Sequence, residues 1–152
     1  MRVLHGSLDV SARGNAAYLQ ARRYLCRDPI ERSILSKLEN APHEIHLRLN
    51  SRNDDSYDPN TRTIDWDPRS ALRTTRGGRQ SPALGLAHEA DHATVASAVR
   101  DADIVRRIPA YDNLEERRVI LGSEQHAALT LHEAVRYDHR GHCYRVATPT
   151  SR

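Results

Sequence analysis

Residues 88–92, His88-Glu89-Ala90-Asp91-His92, constrain this chain more than any other feature. They fit H-E-x-x-H, a spacing that acquires meaning on a helix. There, positions i and i+4 lie one turn apart on the same face. His88 and His92 can then take adjacent corners of one tetrahedral Zn²⁺. Glu89 follows the first His directly, where it reaches a water on such a metal rather than the metal itself. The flanks agree with a helix. Ser81 suits its N-cap and Pro82 its first position. Leu84, Leu86 and Ala87 supply an apolar start, and Ala90 and Ala93 are good helix formers. A chain with 9 His among 152 residues can produce the pattern by chance, so this context gives the motif its weight.

The remainder reads as one α+β domain over residues 1–152, helix-rich, with a small sheet next to the motif helix. There is no Phe and a single Trp, so the core must rest on Leu, Ile, Val and Ala. Residues 1–14 are polar and expected to be poorly ordered. Asn15–Leu25 reads as a helix. Asp28 caps a second one, with Pro29 at its first position and Ile30, Ile34, Leu35 and Leu38 at a 3.6 period. Asn40-Ala41-Pro42 ends it. Glu44–Leu49 alternates polar and apolar, as a half-buried strand does. Asn50–Asn60 is turn-rich. Thr61–Asp67 is a second strand, stopped by Pro68. A polar loop with Gly77 and Gly78 leads into the motif helix, which is expected to continue towards Val99. Asp101–Asn113 reads as irregular, Leu114–Ile120 as helical with a break at Gly122, and Ser123–Tyr137 as a helix.

A catalytic zinc site takes three protein ligands and leaves one position for water. The metal brings that water's pKa towards neutrality, and Glu89 accepts its proton as it attacks. A third His in the pattern H-E-x-x-H-x-x-G-x-x-H is excluded, because Val95 and Ala98 stand at the Gly and His positions. The third ligand must therefore be an acid, and Glu115, Glu116, Glu124 and Glu133 are the candidates. Glu115 and Glu116 stand beside the apolar Val119-Ile120, which could bury them.

Three segments together resemble a known family. They run from Tyr57-Asp58-Pro59 to Asp67-Pro68, from Ser81-Pro82 to His92-Ala93, and from Glu115-Glu116 through Val119-Ile120 to Arg136–Gly141. In this order they are similar to bacterial effector zinc metallopeptidases of the NleD and HopH type, related to domains carried by some VgrG spike proteins. The resemblance covers roughly residues 44–145. It implies a short zincin-like metallopeptidase fold holding one Zn²⁺ per chain, with His88 and His92 as ligands and Glu89 as base. The third ligand would come from the acidic pair: Glu116, which falls in an E-x-x-V-I pattern, or alternatively Glu115. It implies that Thr61–Asp67 lies along the cleft and pairs with substrate backbone. It also implies a virulence effector that leaves the bacterial cytoplasm by a route such as type III secretion and cleaves a protein in a target cell. A catalytically idle zincin-like binding module is the alternative.

Other residues point less sharply. Asp91 either orients a ligand imidazole or faces solvent. Tyr144 and Tyr137 are candidate donors to the transition state. His126, His132, His139 and His142 lack ligand spacing and read as surface or satisfied residues, and Arg136 and Arg140 either hold a substrate carboxylate or an internal acid or form a solvated face. Cys26 and Cys143 form no paired motif and read as reduced thiols. The net charge of +3 sets 23 bases against 20 acids. With so few aromatics, that excludes a nucleic-acid platform. No apolar run reaches the length of a membrane span, and Met1-Arg2-Val3-Leu4-His5 does not open a Sec signal peptide.

Overall fold

A computed structural model describes residues 1–152 and gives an α+β fold. The largest sheet has five strands: β1 (Arg2–His5), β2 (Leu8–Ser11), β3 (Ile45–Leu49), β4 (Ser56–Asp58) and β5 (Thr63–Trp66). Their order is β1-β2-β3-β5-β4. The β2–β3 and β3–β5 pairs are parallel, and the outer pairs β1–β2 and β4–β5 are antiparallel. Two helices, α1 (Asn15–Leu25) and α2 (Pro29–Glu39), cross between β2 and β3. The expected Asp28 cap is present. Its carboxylate accepts the Ile30 and Glu31 amides at 2.8 and 3.0 Å, with Pro29 in the first turn.

The N-terminal residues are not poorly ordered. They form the β1–β2 hairpin around Gly6, whose φ is +61° and whose Cβ position would collide with the Glu39 carbonyl. Leu8 and Val10 are fully buried in the core. An apolar-polar-apolar triplet is too short to announce itself as a strand. Pairing with β3 and burial against the helices stabilise it instead.

The motif helix, α3 (Pro82–Thr94), packs against α1, α2 and the sheet. Trp66 is fully buried at its start and donates its indole N–H to the Pro82 carbonyl at 2.9 Å. The helix stops at Thr94 instead of continuing towards Val99. The Thr94 hydroxyl donates back to the Ala90 carbonyl, and Val95 is extended. The chain then turns into α4 (Ser97–Ile104). Residues 101–113 are accordingly not irregular: α4 is followed by the short hairpin β8 (Arg107–Ile108) and β9 (Asp112–Asn113). The polar loop before the motif likewise holds β6 (Ser70–Arg73) and β7 (Arg79–Gln80), which form a second sheet with β10 (His142–Arg145).

The last helical run is α5 (Leu114–Val119), a π turn over Ile120–Glu124 and α6 (Gln125–Thr130). Gly122 departs from helical geometry, as its composition suggested. No helix extends to Tyr137. His132 adopts a left-handed φ of +57°, and the Glu133 amide closes the end on the Ala128 carbonyl. The Glu133 carboxylate turns away to the start of α3. There it accepts the Ser81 amide at 2.6 Å and the Ser81 hydroxyl at 2.7 Å. Ser81 holds the N-cap position, but Glu133 supplies the capping oxygen. No helix is long and apolar enough to cross a membrane.

Candidate metal centre

The α3 spacing does what the sequence requires of it. His88 and His92 project from one face and are 3 % and 7 % exposed. Their Nε2 atoms lie 3.0 Å apart. Glu116, in the first turn of α5, brings its Oε2 within 2.7 Å of His88 Nε2 and 3.2 Å of His92 Nε2. The Asn113 side chain caps α5 by accepting the Glu116 amide at 2.9 Å, which fixes that carboxylate's base. In a tetrahedral site with bonds near 2.0–2.1 Å, donor atoms stand about 3.3 Å apart. The three atoms here are slightly closer, so a small outward adjustment admits an ion. His88, His92 and Glu116 form a buried group that can hold a metal ion.

The other imidazole nitrogens identify the support. His88 Nδ1 lies 2.7 Å from Glu124 Oε2, and His92 Nδ1 lies 2.9 Å from Glu115 Oε1. A proton on each Nδ1 is shared with its carboxylate, which leaves Nε2 free to ligate and fixes the ring orientation. Each carboxylate is held by an arginine. Arg136 donates to Glu124 through Nε at 2.6 Å and Nη2 at 2.8 Å. Arg118 donates to Glu115 at 2.9 and 2.7 Å, and also to Asp91 at 2.8 Å. The two acids of the Glu115-Glu116 pair therefore divide the work: Glu116 faces the metal position and Glu115 backs His92. Glu124 backs His88, and Glu133 serves the helix start.

Electrostatics follow from this crowding. Burial favours neutral His88, but the Glu116 and Glu124 carboxylates outweigh it and push the imidazole up to about 10. His92 is raised against its own burial by Glu115 and Glu116. Burial works to raise Glu116 and Glu124, yet both are held well below the usual carboxylate range. For Glu116 the two histidines prevail, and for Glu124 it is Arg136 and His88. Glu89, 7 % exposed, is raised by burial and hydrogen-bonds to no side chain that would hold it charged.

Glu89 and His88 line a cleft of about 210 Å³ together with Asp55, Gly85, His139 and Arg136. Gly85 stands one turn before Glu89. A Cβ there would come within 2.3 Å of the Asp55 carboxylate, so glycine allows the strand side of the cleft to press on the helix. Burial pushes Asp55 up to about 7.

Several expectations are corrected. His139, half-buried, belongs to the site. It stacks on His88 with ring centroids 5.9 Å apart, lies 3.4 Å from Glu116 and is held through Nδ1 by Asp112 at 2.5 Å. Of the readings open for Arg136, the structure supports the internal acid: it holds Glu124. Asp91 is 7 % exposed and touches neither imidazole; it binds Arg118 and Ser123. Tyr137 and Tyr144 do not line the cleft. Tyr137 is stacked under Arg76 at the surface, and Tyr144 sits on β10 beside Arg79. β5 is not a free edge either. It pairs with β3 on one side and β4 on the other, and the open edge belongs to β4. His126 pairs with Asp28, away from the site, and Cys26 and Cys143 are free.

Sequence reasoning missed His139, Asp55 and the Arg118 and Arg136 supports. His139, Asp55 and Arg136 are brought in by irregular segments, where no periodicity exists to mark them, and Arg118 by the short α5, where its bond to Asp91 is a tertiary contact. Comparisons with protein-family models, curated proteins and solved structures return no match to this chain.

Proposed function

We propose that this protein is a zinc metallopeptidase of zincin type, an endopeptidase acting on a protein of a target cell after delivery as an effector. One observation carries the reading. Two imidazoles and a carboxylate converge on one point, each imidazole is backed by its own carboxylate, and the unpaired Glu89 stands beside them. Such backing is how proteins orient metal-binding histidines. A purely structural site has no need of Glu89, and it would be closed by a fourth protein ligand. Zn²⁺ is the ion preferred by a two-His, one-carboxylate set, and when bound it polarises the scissile carbonyl and acidifies water.

The remaining work falls to side chains of this chain. Glu89 accepts the proton of the attacking water and passes it to the leaving amine; its raised pKa suits both directions. Doubly protonated His139, whose Nδ1–H is held by Asp112, would donate from Nε2 to the developing oxyanion, the role that the sequence suggested for Tyr144 or Tyr137. Arg118 and Arg136 keep the backing carboxylates charged, so the ligand imidazoles stay fixed.

Cleavage of a quenched-fluorescence peptide library by zinc-loaded protein tests this reading. Glu89→Ala should retain zinc and lose about 10²–10⁴-fold in rate, the usual contribution of a general base. His139→Ala should lose about 10²–10³-fold with zinc retained, as for a removed oxyanion donor. Tyr144→Phe should change neither. Cleavage by Glu89→Ala at the parental rate would contradict the mechanism, and zinc binding without any cleavage would favour the idle binding module.

A further inference from the structure

The largest cavity in the molecule is not the metal cleft. About 780 Å³ of space opens where the last turn of α3 meets the end of α2 and the strand β4. Its charged and titratable lining residues are Lys37, His43, Arg62 and Arg100, and no acid lines it. Arg100 is 9 % exposed. It lies over the Tyr57 ring at 5.5 Å and donates to the His92 carbonyl at 3.4 Å. Its one acidic partner, Asp101, is 3.3 Å away and two-thirds exposed, which screens that pair. Arg62 donates only to a backbone carbonyl, that of Glu44, at 3.2 Å. Among these cations only Arg100 has a carboxylate partner, and that one is exposed, whereas Arg118 and Arg136 at the metal cleft are paired with buried carboxylates.

The strand β4 connects this cavity to the cleft. Asp55, immediately before it, lines the cleft, whereas Tyr57 and Pro59 line the cavity. β4 hydrogen-bonds to β5 on one side and leaves its other side unpaired. A free strand edge of this kind takes up an extended peptide by backbone pairing. The side chains along it change character, from the carboxyl groups of Asp54 and Asp55 at the cleft to the cations Arg62, Lys37 and Arg100 at the cavity. Asp58, the acid on β4 itself, is turned back to Asn60 and Thr61.

We propose that an extended peptide pairs with the free edge of β4 and places an acidic side chain in the cationic cavity beyond Tyr57. This deepens the metallopeptidase reading and rests on it for the peptide's fate. It names the substrate class: a segment carrying Asp or Glu a fixed distance from the scissile bond. From Asp55 to Pro59 is four steps of a strand, about 13 Å. The acid therefore lies about three to five residues from the bond cut. A nucleic acid would match the cations but not the strand edge, and the surface offers few aromatics on which bases could stack.

The test uses full-length, zinc-loaded Glu89→Ala protein, which binds without cutting, and fluorescein-labelled octapeptides read by anisotropy at low salt. The peptides differ only in carrying Glu, Gln or Lys at three central positions. The Glu peptide should bind about tenfold tighter than the Gln peptide, the sum expected of two or three partly screened ion pairs. The Lys peptide should bind weakest. Adding Lys37→Ala and Arg62→Ala, both at exposed positions, should erase the preference while leaving the thermal midpoint and zinc content unchanged. Equal affinity for Glu and Gln peptides, a preference that survives the double substitution, or tighter binding of a single-stranded RNA of equal charge would overturn the proposal. The two readings fail separately. Glu preference without cleavage by the parent protein would remove the peptidase and keep the docking site. Cleavage by the parent with no acid preference near the cut would do the reverse.

Discussion

Glu124 and Glu31 are two carboxyl groups buried to the same depth near the motif helix, 2 % and 0 % exposed. Glu124 receives two bonds from Arg136 and one from His88, and is held charged. Both oxygens of Glu31 lack any partner. Burial, with Asp91, Asp28 and Glu124 nearby, pushes its carboxyl up to about 8. Equal burial thus yields a fixed anion in one place and a neutral acid in the other. The difference lies in where the fold spends its arginines. Arg136 and Arg118 bond Glu124, Glu115 and Asp91, and no arginine reaches Glu31. A protein that compensates buried charge so selectively is organised around the compensated site.

Replacing the compensated acid should cost most. Glu124→Leu strands the Arg136 guanidinium and frees the His88 ring. A loss of about 3–5 kcal/mol in urea unfolding is expected, as when one partner of a buried pair is removed. Zinc affinity should fall about 10–100-fold with it, the usual penalty for a lost backing residue. Unchanged affinity would mean that Glu124 does not orient His88.

Next in size is the pH dependence of metal binding. The carboxylates that raise His88 to about 10 keep a proton where the metal must bind. The sign is fixed: below that value metal and proton compete, so affinity rises with pH, about tenfold per unit for each proton displaced. Competition titration between pH 6 and 8 should show a gain of about a hundredfold on that slope. The same raised pKa stabilises the metal-free fold fully below the unfolded value and is lost as pH rises through the folded one. A flat affinity profile would contradict the network.

The uncompensated acid should give the smaller effect, with the opposite sign. The folded pKa of Glu31 lies above its unfolded value, so the unfolded chain binds fewer protons between about pH 4 and 8. Stability contributed at this position is greatest at low pH and falls as pH rises to about 8. Glu31→Met should therefore stabilise the protein by about 2 kcal/mol at pH 8 and by clearly less at pH 5, read by denaturant midpoints. Destabilisation at pH 8 would show that Glu31 has a partner after all.

The legible part of this molecule is the part built from repeating backbone. α2 and α3 begin where the Asp28-Pro29 and Ser81-Pro82 signals place them, and α1 spans its run of helix formers from Asn15, because capping and periodicity are local. His88, His92 and Glu89 follow from one helical turn. Glu115 and Glu116 could be named as a pair, but their division of labour depends on which side of α5 meets α3, a tertiary fact. Glu124 reaches His88 only because the π turn over Ile120–Glu124 rotates the chain, and no propensity announces such a turn. His139 arrives from an irregular segment, and β5 proved interior because β4 (Ser56–Asp58), inside the stretch that reads as turns, pairs with its outer edge.

The central claim is that His88, His92 and Glu116 hold the metal while Glu115 and Glu124 stand behind the imidazoles. An anomalous difference map at the zinc absorption edge, from crystals of the zinc-loaded protein, tests it most directly. The account predicts one peak, about 2.0–2.2 Å from His88 Nε2, His92 Nε2 and a Glu116 carboxylate oxygen. No peak at this position, or one bonded to Glu115 or Glu124 in place of Glu116, would contradict it.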